Sequence, residues 1–259
     1  MKHVHDLRRP RGVTATPVHD NADVRAFFDQ HAASYAEQHG DPERLLADRL
    51  ALVRREARLA PDDVVLDLGC GHGHHLLALA PEIARGIGVD LSPAMIELAR
   101  ARLAASPWAD RLRFEAGDAA RLEGVVAADS VDLALCIGAF EHMLDKRAAL
   151  ASVHRVLRAG GRFFCLTPSG DYLWYRALAP LLGFATKHLS TDVFPTRDAL
   201  TTLLVRAGFD HVRTGCWTFI PRGDMPPSIG RLLAGLDTVG RIAGLRALRG
   251  GLWVCASKA

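Results

Sequence analysis

The amino-acid sequence predicts an α/β fold built on a doubly wound, mostly parallel sheet of seven strands. Three features point there. Val64-Val65-Leu66-Asp67-Leu68 is a short, apolar, β-branched run of the kind buried on both faces of a parallel sheet. It ends in Gly69-Cys70-Gly71-His72-Gly73, after which Leu76-Leu77-Ala78-Leu79-Ala80 resumes with helical character. A second run, Gly86-Ile87-Gly88-Val89-Asp90, closes on a carboxylate, and from Asp63 onward strand-like and helix-like segments alternate. Alternation of this kind builds βαβ units whose right-handed crossovers bring every strand's carboxyl end to one rim.

The elements follow in order. At 259 residues and 49% hydrophobic content the chain fits one enlarged domain. Residues 1–19, rich in Arg, His and Pro and without hydrophobic period, read as a flexible arm, and 20–259 as the domain. Helices are expected over 23–38 and 43–59, the second opening on Asp41-Pro42. Strands over 64–68, 86–90, 112–115, 131–137 and 161–167 alternate with helices over 74–80, 93–105 (capped by Ser92) and 145–157. Two lid insertions are expected, about 169–195 and 222–249, on either side of a helix over 196–207 and a strand over 211–220. In the second, apolar residues alternate with Arg231, Arg241, Arg246 and Arg249, while Gly230, Gly235, Gly240 and Gly244 argue against a long helix. It reads as a second wall of an acceptor pocket, with a basic amphipathic segment on a membrane surface as the alternative. A last strand covers 251–256.

The glycines of 69–73 let the backbone turn sharply and let a ligand approach main-chain N–H groups at a helix N-terminus. A carboxylate at the next strand tip can accept both hydroxyls of a ribose, so the pair describes a nucleoside crevice. A dinucleotide fingerprint needs Gly or Ala where His74 stands. Instead, Asp67 precedes Gly69, Gly71 and Gly73, and this D-x-G-x-G-x-G resembles motif I of the class I S-adenosylmethionine-dependent methyltransferases.

The resemblance covers about residues 20–220 plus the final strand, and places it in the small-molecule, ubiquinone-biosynthesis-like branch. It implies cofactor contacts from Asp67, Gly69, Cys70 and Gly71, from Asp90 and Leu91, and from Asp118 and Ala119 in the G-D-A segment after strand three. It also implies a backbone contact at Cys136, ending strand four. The phrase Phe28-Asp29-Gln30-His31-Ala32-Ala33-Ser34-Tyr35 resembles a segment whose tyrosine closes over the cofactor, so Tyr35 carries that role, against a plain packing aromatic. For Asp118 the alternative is a turn aspartate that caps the next helix. Leu157-Arg158-Ala159-Gly160-Gly161 is similar to the family's turn before strand five, with Ala159 for proline, and the last strand is then antiparallel beside strand five.

After strand four, Glu141-His142 resembles the E-H pair of small-molecule members. Quinone O-methyltransferases with E-x-x-E-H can hold a divalent metal, but Gly138 replaces the first glutamate, so no metal is expected. His142 is the expected general base, with bracing of the loop as the alternative, and His188 is a second candidate. Phe140, Tyr172, Trp174 and Tyr175 are expected to line the acceptor site. The implied reaction is methyl transfer to a small apolar or aromatic metabolite, at oxygen. The alternatives are a nucleic-acid methyltransferase or a cofactor-binding membrane-surface protein without turnover. A net charge of +3 and Ile137-Gly138-Ala139-Phe140 in place of a [DN]-P-P-[YF] box argue against nucleic acid. Five cysteines without a CxxC pair, no signal peptide and no membrane-length apolar run give a cytoplasmic expectation.

Overall fold

Alternate side chains of the central strands enter two different cores, which is why helices cover both faces of the sheet. On one face Leu133, Leu135, Phe164 and Leu166 pack with Leu50, Val53, Leu76, Ile96 and Ala99. On the other, Ala134, Cys136, Phe163 and Cys165 pack with Leu150, Val153, Leu200 and Leu204. The computed structural model describes residues 15–33, 42–184, 186–220 and 227–259. Its strands are β1 (Val64–Leu68), β2 (Arg85–Asp90), β3 (Leu112–Ala116), β4 (Val131–Ile137), β5 (Leu157–Pro168), β6 (Phe209–Trp217) and β7 (Gly251–Lys258). They lie in the order β3-β2-β1-β4-β5-β7-β6, with β7 antiparallel to both neighbours.

The helices are α1 (Asn21–His31), α2 (Pro42–Glu56), α3 (His74–Leu79), α4 (Pro93–Ala104), α5 (Lys146–Val156), α6 (Ala179–Leu182), α7 (Arg197–Arg206) and α8 (Pro227–Ala243). Short polar side chains start four of them. Asp20, Ser92, Asp145 and Thr196 each accept from a backbone N–H of the first turn of α1, α4, α5 and α7. All five cysteines are free thiols.

Four differences from expectation have physical causes. α1 ends at His31, where the expected helix continued to 38, because the Ala32 carbonyl lies 2.6 Å from His72 Nε2 in the glycine loop. Tyr35 falls outside the described residues. α2 stops at Glu56 just before Arg58, whose φ of 53° breaks the helix. The described end of the expected arm is tied down. Thr16 N–H donates to the His188 carbonyl at 2.9 Å, Ser190 N–H donates back to Thr16 at 2.8 Å, and Val18 is buried. α8 forms despite its glycines. At Gly240 a Cβ would stand 2.8 Å from Leu248 Cβ, so the bare backbone there admits the returning 246–248 turn.

A buried ion pair fixes α8 to the sheet. Arg249 Nε donates to Asp237 Oδ1 at 2.9 Å, and Thr218 Oγ1 donates to Asp237 Oδ2 at 2.8 Å. Both charged residues are buried. Asp237→Ala leaves the guanidinium uncompensated and is expected to lower unfolding free energy by about 3–5 kcal/mol in denaturant titration.

Candidate active site

The glycine loop brings the tips of β1 and β2 to one point. Gly69 and Gly71 adopt φ of 66° and 50°, open to glycine at no steric cost. A Cβ on Gly69 would stand 2.3 Å from Ala139 Cβ, so the loop lies flush against the segment after β4. Among the described residues a Cβ on Gly71 would meet nothing within 4 Å, so none of them fills the space above it. Beneath, Asp67 is fully buried and, among the described residues, neither carboxylate oxygen has a hydrogen-bond partner; His75 Nδ1 lies 3.6 Å from Oδ2. An unsatisfied buried carboxylate costs free energy unless a donor reaches it.

Asp90 organises the next tip. Its Oδ2 accepts from Gly71 N–H at 2.8 Å and its Oδ1 from Ser92 N–H at 2.9 Å. Burial pushes this carboxyl above its ordinary range; the two backbone donors pull it down without cancelling burial, and the Asp67 and Asp29 charges add to the rise. Asp29, from α1, accepts from Ser92 Oγ at 2.5 Å and from Ala94 N–H at 3.2 Å, which clamps the N-terminal helix onto the start of α4. At the tip of β3, Asp118 Oδ1 accepts from Ala120 N–H and Oδ2 from Asn21 Nδ2, each at 2.8 Å. Turn capping and a rim position thus coexist at Asp118.

Other expected contacts stand differently. The Cys70 and Cys136 side chains belong to the two cores, which leaves only their backbone for a ligand. Leu91 packs with Val18, Val24 and Phe28 at the α1 contact. Ala119 lies half-buried against the second core. A basic group not expected there also reaches the rim: Arg49 of α2 has a guanidinium nitrogen 3.3 Å from where a Gly138 Cβ would be.

On the β4 side, Glu141 and His142 turn to different partners. Glu141 Oε2 accepts from Thr167 Oγ1 at 3.1 Å, while His142 Nδ1 lies 2.7 Å from Asp192 Oδ1. Asp192 Oδ2 accepts from the N–H groups of His188 and Leu189 at 3.0 and 2.9 Å. Burial pulls the His142 pKa down, but the Asp192 hydrogen bond and the Glu141 and Asp192 charges outweigh it, and the net direction is up. Asp192, with burial opposing, is held below its usual value by the same bond, the imidazolium and its backbone donors. An ionised carboxylate only accepts, so Nδ1 carries the proton and Nε2 is the basic atom of the neutral ring. The His142 ring sits 5.2 Å from that of Phe28 and 6.1 Å from that of His188, centroid to centroid. His188 itself is exposed.

The expected acceptor-lining aromatics divide. Phe140 is 1% exposed and packs in the core under the α5 face, because the turn at 140–142 points it inward. Tyr172 and Trp174 are buried in the lid's own core with Leu233 of α8. All three side chains pack into these cores. Tyr175 is half-buried, its ring 4.6 Å from that of Phe194; burial, then Tyr172 and Glu141, push its hydroxyl well above the usual range. Asp192, Asp29, Asn21 and Arg49 were not anticipated. Asp29 lay within a recognised phrase, whereas Asp192 stands fifty residues after His142 with no local signal.

A doubly wound sheet with a glycine loop after β1 and a carboxylate at the tip of β2 defines a nucleoside-binding α/β protein. Residues 65–161 match the methyltransferase domain family. The chain is 32% identical over 178 residues to demethylmenaquinone methyltransferase of Lactiplantibacillus plantarum, covering 61% of this chain and 74% of that one. It is 29% identical over 242 residues to an O-methyltransferase of Penicillium expansum, covering 82% and 85% respectively. A chain of the complex between the Haloferax volcanii Trm112 methyltransferase activator and a methyltransferase superposes with a TM-score of 0.64 at 26% identity, over 89% of this chain and 96% of that one. The chain belongs to the class I S-adenosylmethionine-dependent methyltransferases, in their ubiquinone-biosynthesis-like branch. It is an enzyme that uses S-adenosylmethionine to methylate a small molecule.

Proposed function

We propose that the acceptor is a small apolar or aromatic metabolite methylated on a hydroxyl oxygen, with His142 as the general base. One observation carries this reading: the buried His142–Asp192 pair, which gives Nε2 a defined protonation state on the rim beside the glycine loop. A hydroxyl must lose its proton as it attacks, and a positioned imidazole supplies that step. The relative named an O-methyltransferase adds support.

The residues present suit the cofactor. A carboxylate has about four acceptor positions, and Asp90 uses two on backbone donors, which leaves two for ribose hydroxyls. The Asp67 carboxylate beneath Gly71, unpartnered among the described residues, suits the ammonium end, and Arg49 suits the carboxylate of the same moiety. Bound there, S-adenosylmethionine supplies an electrophilic methyl group. The chain's own work is to hold the acceptor oxygen in line, exclude water and take one proton at Nε2 of His142. Tyr175 forms part of the acceptor wall, and exposed His188 borders its mouth.

The test is methyl transfer from labelled S-adenosylmethionine to a panel of hydroquinones and catechols, with the product's methyl position fixed by mass spectrometry and NMR. Label on oxygen is the expected result. Label on ring carbon, or none on any hydroxylated aromatic, would overturn the reading.

A further inference from the structure

The lid presents a surface that the reaction does not use. Among the described residues eleven large apolar side chains are exposed, and eight of them lie in the two lid segments: Leu173, Leu181, Leu182, Val193, Leu232, Val239, Ile242 and Leu245. Leu181 and Ile242 are 82% and 77% exposed. The segments are neighbours, since Ala179 of α6 shares a cluster with Leu233 of α8. On α8 the inner face carries Leu233, Asp237 and Gly240. At helical spacing Leu232, Val239 and Ile242 fall on the opposite side, flanked by exposed Arg231 and Arg241.

Charge sharpens the picture. No Asp or Glu occurs from 172 to 191, and from 228 to 259 the only one is Asp237. That carboxylate is buried against Arg249. Arg176, Lys187, Arg231, Arg241 and Arg246 are all exposed on these segments. The surface is therefore apolar along its ridge and cationic around it.

We propose that the outer face of α8, with Leu181 and Leu182, docks on the surface of an anionic phospholipid bilayer. A helix of this kind lies in the headgroup plane, its apolar side chains among the acyl chain ends and its arginines on phosphate. It lies on the membrane and does not cross it, as no described helix is long and apolar enough to span one. A second copy of the chain is a poor occupant, because a twofold contact sets the same cationic rim against itself. The inference does not rest on the acceptor proposed above, since docking is read without turnover.

The test is co-sedimentation of the full chain with vesicles of phosphatidylcholine alone and of phosphatidylcholine containing phosphatidylglycerol. Wild type is expected to pellet with the anionic vesicles, to stay free with neutral ones, and to lose roughly tenfold in partitioning when salt is raised well above physiological strength. Leu232→Glu with Ile242→Glu is expected to abolish pelleting, and Arg231→Glu with Arg241→Glu to reduce it by roughly tenfold or more. Both pairs are exposed, and unchanged calorimetric affinity for S-adenosylmethionine reports that each variant is folded. Equal pelleting by wild type and both variants, no pelleting of wild type with anionic vesicles, or dimerisation that Ile242→Glu removes would each overturn the proposal.

Discussion

Asp90→Ala is expected to lower affinity for S-adenosylmethionine by on the order of a hundredfold or more in isothermal calorimetry, because hydrogen bonds to a charged acceptor contribute about 1.5–3 kcal/mol each and two are lost. The loss has a second source. Asp90 also holds Gly71 N–H and Ser92 N–H, so its removal loosens the loop itself. Asp90→Asn separates the two effects, since one amide oxygen can still accept. It is expected to fall between wild type and Asp90→Ala. The raised pKa adds a pH dependence of definite sign. Protonation removes an acceptor, so affinity is full above the elevated Asp90 pKa and declines as pH falls through it, at a higher pH than an ordinary carboxylate would give. Unchanged affinity in Asp90→Ala would remove the ribose assignment.

How much of this was legible in the chain differs by element. Strands β1 and β4 were readable because burial on both faces demands continuous apolar runs, and Ser92 and Asp145 announce the helices they start. The extent of β5 was underestimated, since pairing from Leu157 runs through a bulge opposite β4 that puts Arg158, Ala159 and Gly160 in an exposed strand end. α8 was misjudged because glycine propensity is a local quantity, whereas Leu233, Asp237 and the close approach at Gly240 are tertiary. Asp67, the glycine loop and Asp90 sit on one βαβ unit, so these cofactor-side residues are close in sequence. Asp192, the partner of His142, is contributed by a lid segment, and the burial of Phe140, Tyr172 and Trp174 is not something composition reveals.

His142→Ala is expected to lower kcat by about 10²–10⁴-fold with cofactor affinity unchanged, as befits loss of a general base. Asp192→Asn is the sharper probe, since Asp192 acts through His142. Its Oδ2 is committed to the His188 and Leu189 N–H groups, so an asparagine must keep its oxygen there and turn its NH₂ toward His142. Two donors cannot face each other across 2.7 Å, so the ring must deprotonate at Nδ1 and carry its proton on Nε2. The base is then pointed the wrong way, and kcat is expected to fall by roughly tenfold or more while the fold persists. The pH profile distinguishes this from simple loosening. In wild type the neutral ring appears only as pH rises through the elevated His142 pKa, so kcat climbs along a limb above the ordinary histidine value. With the Asp192 charge gone, burial dominates and that limb moves to lower pH, with a depressed plateau. Stability follows the same bond. The imidazolium–carboxylate pair contributes fully below the unfolded histidine pKa and is lost as pH rises through the folded one, so the Tm difference between wild type and Asp192→Asn should narrow on the alkaline side. A variant with the wild-type kcat profile and only a lower Tm would reduce the pair to a brace between lid and rim.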